Sequence, residues 1–208
     1  MMKLYTTDAS PFGARVRIQI YKKQLPIKIA PPPGGMGSAE LLDISPTGRI
    51  PVLDLGHSRI VESEVIQEFL EDTFPEPTLR GDSAETAATI RMLSRITDIY
   101  LVPALQPFRS HLKGEDKSSG NLDKGIKDLQ QIFALFEHYM TGEVYAVANT
   151  LSLADCAMAP MFFYVRFFAQ KLDADLSLSN FRRLSTWLEK ISSDAAVASV
   201  LKEIEGAS

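Results

Sequence analysis

Ser10-Pro11-Phe12-Gly13-Ala14-Arg15-Val16-Arg17-Ile18 decides how the front of the chain is read. The apolar run ahead of it, Leu4-Tyr5-Thr6-Thr7, reads as a strand. Behind it, Val16, Ile18, Ile20 and Tyr21 mix with Arg15, Arg17, Lys22 and Lys23, the pattern of a half-buried helix. Serine is a favoured N-cap, and proline is favoured at the first helical position. The reading is therefore strand, short loop, helix, with the Ser10 hydroxyl at the helix's positive end. Free N–H groups and the helix field suit an anion there. A thiolate is such an anion, since thiol pKa values near 8.5 fall to about 3.5–7.5 at helix starts. A serine O–H donating to sulfur would strengthen the effect. On these residues alone, a plain helix cap is the preferred reading.

Moving outward, strands and helices alternate. Ile27-Lys28-Ile29-Ala30 reads as a second strand. Pro31-Pro32-Pro33-Gly34-Gly35-Met36-Gly37 cannot form a regular element and is a loop. Ser38 to Leu42 starts a short helix that Pro46 ends. Ile50 to Leu55 is a strand, Gly56-His57-Ser58 a turn, and Arg59-Ile60-Val61 the return strand of a hairpin. Glu62-Ser63 precedes an amphipathic helix whose Val65, Ile66, Phe69 and Leu70 are expected to share one face.

Pro75-Glu76-Pro77 and Gly81-Asp82 mark a linker, and beyond them the alternation stops. Helical patterns cover Ala84–Leu101, Leu122–Met140, Leu153–Ala169, Phe181–Lys190 and Ala195–Ile204. A further helix over Val102–Leu112 is expected to be bent or broken by Pro103 and Pro107. The expected domains are thus residues 1–77 and 84–208, joined by 78–83. Ser152-Leu153-Ala154-Asp155 resembles a capping box with aspartate in the usual glutamate place. The run after it is apolar on nearly every side, which marks a helix inside a bundle.

Composition bounds the function. The chain has 208 residues, 45% hydrophobic and 23% charged, with a net charge of -4 and no long basic run, so nucleic acid is not an expected partner. The single cysteine, Cys156, excludes an internal disulfide framework and fits a reducing compartment. The longest apolar run, Cys156 to Val165, is about half of a membrane span. A cytoplasmic protein is expected, with no metal.

Two further sites carry chemistry. In Ile50-Pro51 the X–Pro bond is trans by default. A cis bond would turn the Ile50 N–H and C=O outward, where an extended peptide could pair with them as an added strand. Arg49 could hold a carboxylate, or be an ordinary solvated arginine. Ser63, at a second helix start, suits another carboxylate, and Glu62 suits an ammonium. Together they could read an amino-acid head group, or form an N-cap with a first-turn acid.

The order of these parts resembles the cytosolic glutathione S-transferase family over essentially the whole chain. Ser10-Pro11-Phe12 with Arg15-Val16-Arg17-Ile18 is similar to the opening of its serine-type classes, the tau class and related bacterial proteins above all. Gly48-Arg49-Ile50-Pro51-Val52-Leu53 is similar to the family's cis-proline segment, and Glu62-Ser63 with Ile66 to its glutamate-serine motif. The resemblance implies a thioredoxin-like α/β N-terminal domain, an all-α C-terminal bundle and a homodimer. It implies that Ser10 faces the sulfur of glutathione and that Ile50, set by the glutathione-site proline Pro51 after it, pairs with the cysteinyl backbone through its N–H and C=O. Glu62 and Ser63 would bind the γ-glutamyl end, with Arg49 near the glycine carboxylate. Tau-type proteins tend to carry a lysine before Ser38, where this chain has Gly34-Gly35-Met36-Gly37. The glycyl end is therefore expected to be held less tightly, or by backbone groups.

The implied activity is conjugation of glutathione to a small hydrophobic electrophile, lodged between the domains against Phe12, Tyr100 and Phe108. Pro103 and the Phe162-Phe163-Tyr164 cluster are further candidates, as are Arg109 and His111 for an acidic substrate. Serine at position 10 argues against mixed-disulfide chemistry. The alternatives are a glutathione-dependent isomerase or lyase, or a ligand-binding member without turnover.

Overall fold

The computed structural model describes residues 1–115 and 118–207. Its contacts divide the chain into two units: Met1–Leu79 with the segment from Ser193 onward, and Arg80–Ser192.

The first unit runs β1 (Lys3–Tyr5), α1 (Pro11–Lys23), β2 (Lys28–Ala30), α2 (Ala39–Ile44), β3 (Val52–Asp54), β4 (Arg59–Val61) and α3 (Ser63–Thr73). A C-terminal helix, Ala195–Gly206, packs on α1. The strands form one mixed sheet of order β2-β1-β3-β4, with β1 parallel to β2 and antiparallel to β3. The Asp54–Arg59 hairpin pairs β3 with β4. This is a thioredoxin-like domain. Register puts Leu4 opposite both Ile29 and Leu53. Leu4 and Leu53 therefore share one sheet face, and Val16, Ile20, Ile66 and Leu70 pack over it to make the core.

Two expectations about helix faces are corrected. The helix α1 is not half-buried, since every residue from Gly13 to Ile20 is buried, Arg15 and Arg17 included. The reason is that α3 and the C-terminal helix both pack against it. In α3, Val65 is exposed, while Ile66, Gln67, Leu70 and Glu71 are buried. The buried face follows the helical spacing through Ser63, and Gln67 and Glu71 on it are tied up by hydrogen bonds.

Glu71 is the hub of those bonds. It accepts from Lys23 Nζ at 2.7 Å, from Gln19 Nε2 at 2.9 Å and from the Leu79 N–H at 2.9 Å. Gln67 Nε2 donates to the Arg15 carbonyl at 3.2 Å. The Lys23–Glu71 pair is dry, with side chains 0% and 1% exposed. Removing one partner strands the other's charge, whereas replacing both with apolar groups need not destabilise. Glu71→Ala is expected to lower the unfolding free energy by about 3 kcal/mol. A Lys23→Met, Glu71→Leu double variant should recover most of that loss in denaturant titrations.

The second unit is helical: α4 (Ala84–Ile96), a π-helical turn Thr97–Leu101, α5 (Val102–Ala104), α6 (Gln106–Leu112), α7 (Ser119–Tyr139), α8 (Leu153–Leu172) and α9 (Arg182–Lys190). Pro103 and Pro107 fall in the first turns of α5 and α6, where a missing N–H costs nothing. Phe162 on α8 centres the core, with ring centroids 5.8 Å from Phe133, 5.4 Å from Phe136 and 5.3 Å from Trp187. Among the described residues, no helix is long and apolar enough to cross a membrane.

Candidate active site

Within the first unit, Phe12, Arg49, Ile50, Pro51, Glu62 and Ser63 line one cleft, with Thr47 and Val61 completing its wall. Three separate sequence segments supply these residues.

The first is the start of α1. Ser10 has extended backbone, and its Oγ accepts from the Gly13 N–H at 3.1 Å, so it caps the helix. A hydroxyl has one proton and two lone pairs. Capping uses a lone pair and leaves the proton to donate. Gly13 is required by packing: a Cβ there would lie 1.7 Å from Thr6 Oγ1, on the buried residue that follows β1. The ring of Phe12 lies 5.5 Å from the Arg15 guanidinium. Ser10 itself is not among the residues that line the cleft.

The second segment is the approach to β3. Ser45 is fully buried and organises a turn. Its Oγ donates to the Arg49 carbonyl at 2.8 Å and lies 3.2 Å from Thr47 Oγ1. The Gly48 N–H closes back on the Ser45 carbonyl at 2.7 Å, with Gly48 at φ +64°. The Ile50–Pro51 bond that follows is cis. Among the described residues nothing pairs with the Ile50 N–H or C=O.

The third segment is the start of α3. Glu62 holds φ 68° and ψ 113°, in the positive-φ range that L-residues rarely adopt. Such a conformation costs on the order of 1–3 kcal/mol and gathers at functional sites. Ser63, next in line, is buried and begins the helix, while Glu62 is exposed at the cleft.

The other candidates lie elsewhere. Tyr100, in the π-helical turn, is 51% exposed. Phe108 is fully enclosed in the helical unit, its ring 6.2 Å from that of Phe168. Phe162 is likewise core, Arg109 is exposed and His111 half-buried. Cys156 is a fully buried thiol on α8, in no disulfide. The glycine-rich loop does not reach the cleft: Gly34, Gly35 and Gly37 all have positive φ, and Ser38 Oγ ties the loop to the Pro33 carbonyl at 2.8 Å. No group of three or more metal-ligating side chains gathers among the described residues. Sequence reasoning missed Thr47 and Val61. Thr47 could have been found as the tip of the turn that Gly48 completes.

A sheet of this order, with a cis-proline before β3 and a strained residue before α3, belongs to a thioredoxin-like domain. Comparison with known proteins gives the family. The model of the glutathione S-transferase N-terminal domain matches residues 4–78, and that of the C-terminal domain matches residues 96–195. This chain belongs to the glutathione S-transferase family. It is 26% identical over 156 residues to a glutathione S-transferase of Pseudomonas putida, covering 74% of this chain and 70% of that one. It is 28% identical over 170 residues to a maleylacetoacetate isomerase of Mus musculus, covering 76% and 74%. A crystal structure of a glutathione S-transferase from Methylobacillus flagellatus with glutathione bound superposes with a TM-score of 0.80. It is 20% identical and covers 96% of this chain and 98% of its own.

Proposed function

We propose that this chain binds glutathione in the cleft of its first unit, favours the thiolate, and conjugates it to a small hydrophobic electrophile. The carrying observation is the convergence of Arg49-Ile50-Pro51, Glu62-Ser63 and Phe12 on one cleft. The unpaired Ile50 N–H and C=O pair with the cysteinyl backbone of the tripeptide as an added strand. Ser63 and the α3 N-terminus take the γ-glutamyl carboxylate, and Glu62 takes its ammonium. Arg49 holds the glycyl carboxylate. At the other end, the Ser10 O–H donates to sulfur at the positive start of α1. The thiolate attacks an electrophilic carbon and forms a C–S bond, and the bonding pair leaves with the departing group. Phe12, in the wall of the cleft, offers apolar surface for that partner. A homodimer working in the cytoplasm on toxic electrophiles fits this reading.

The likeness to a maleylacetoacetate isomerase supports a second reading. The same thiolate adds to an activated double bond, rotation follows about the resulting single bond, and the thiolate is expelled again. No net conjugate accumulates.

The test is retention on immobilised glutathione together with turnover of a generic chloronitroaromatic. Both are expected. Retention without turnover of any electrophile would favour a ligand-binding protein instead. Glu62→Gly separates strain from binding. Glycine relieves the positive-φ cost at the expense of chain entropy, so the variant should be about 1 kcal/mol more stable. It loses the ammonium partner, so its Kd for glutathione should rise roughly tenfold. Calorimetry of both quantities on one preparation checks the pair.

A further inference from the structure

The C-terminal helix is fastened to α1 by a set of polar contacts that lead back to Ser10. Arg17 sits at their centre with its side chain fully enclosed. Its Nη1 donates to Asp8 Oδ1 at 3.1 Å and to Glu203 Oε2, and its Nη2 donates to the Asp8 carbonyl at 2.7 Å. The second Glu203 oxygen accepts from the Tyr21 hydroxyl at 2.9 Å. Burial, then the bond to Glu203, pushes the Tyr21 hydroxyl up to about 12, so it stays a donor through the neutral range. One turn along, Lys22 Nζ reaches Asp194 Oδ2 at 2.6 Å, and Asp194 caps the C-terminal helix through the Ala196 N–H at 3.0 Å.

Asp8 stands two residues before Ser10, and the Ser10 N–H closes that turn on the Thr7 carbonyl at 3.1 Å. The guanidinium is a planar fork whose donors cannot be re-aimed one at a time. Glu203 fixes the fork, and the fork fixes the main chain that presents the Ser10 hydroxyl. Errors of about 1 Å at a reacting group can cost a hundredfold in rate.

We infer that Glu203 on the C-terminal helix is a positioning residue for Ser10, acting through Arg17 and the Asp8 carbonyl. This rests on the proposed role of Ser10 as donor to the thiolate. The two are separated by a kinetic double-mutant cycle on the full chain, with a generic chloronitroaromatic and saturating glutathione. Glu203→Leu should lower kcat roughly tenfold, as loss of an outer-shell partner does, with KM for glutathione held within about twofold. Glu203→Gln, whose one carbonyl oxygen still accepts from Arg17 while its NH2 can donate to the Tyr21 oxygen, should restore most of it. In a Ser10→Ala background, Glu203→Leu should cost nothing further. Asp8→Ala, at an exposed side chain that does not threaten folding, should lower kcat less and show the same dependence on Ser10. An equal loss in both backgrounds, or an unchanged kcat in Glu203→Leu and Asp8→Ala, overturns the positioning role and leaves the Ser10 reading standing. An unchanged kcat in Ser10→Ala alone overturns both.

Discussion

Replacing Asp155 with alanine is expected to lower the free energy of unfolding by about 5 kcal/mol, a loss reserved for broken buried networks. The carboxylate is fully buried at the start of α8 and accepts four hydrogen bonds. They come from the Ala146 N–H at 2.7 Å, the Ser152 N–H at 2.9 Å, the Ser152 hydroxyl at 2.7 Å and Trp187 Nε1 at 2.8 Å. Alanine would leave those donors without their acceptor, each at a cost of about 1–3 kcal/mol before water repairs some of them. Asp155 thereby joins the cap of α8 to the loop at Ala146 and to α9 beneath Phe162. A denaturant titration measures the loss. The pH dependence gives a second check. Burial pushes the Asp155 carboxyl above its ordinary 3.8, while its four donors pull it back. A carboxyl with a raised folded pKa binds its proton more tightly in the folded chain, so stability falls as pH rises between 3.8 and the raised value. The advantage of the native protein over Asp155→Asn should therefore be largest in acid and shrink through that window.

Replacing Ser10 with alanine is expected to lower kcat by between about tenfold and a hundredfold, most of what a two-unit fall in the thiol pKa supplies, the rest coming from the start of α1. Binding of glutathione should survive, because Arg49, Ile50, Glu62 and Ser63 are untouched. The substitution also removes the cap on the Gly13 N–H, which costs about 1 kcal/mol of stability. That loss is too small to unfold the domain, so melting temperature and kcat report separate consequences of one change. An unchanged kcat would mean that the hydroxyl serves only as a cap.

Local signals made much of this legible from sequence. Ser10-Pro11 marks the α1 start, Gly56-His57-Ser58 marks the hairpin, and Ser152 with Asp155 marks the α8 start, because caps and turns are decided by a few neighbouring residues. The segments that line the cleft were also legible, since each carries its own short pattern. What local pattern could not give is which face of a helix is covered from afar. Arg15 and Arg17 look like solvent-facing positions until the C-terminal helix closes over α1 and supplies Glu203. Val65 looks like core until Gln67 and Glu71 take the inner face through partners on α1 and in the segment after α3. The single apolar run of α8 announced burial, but nothing in it announced that Trp187 would donate to Asp155.

The most direct test is the titration of the bound thiol, followed by thiolate absorbance across pH on the native protein saturated with glutathione. The account predicts an apparent pKa about two units below that of free glutathione, equivalent to roughly 2.7 kcal/mol of preference for the anion. A bound thiol that titrates where the free one does would contradict it.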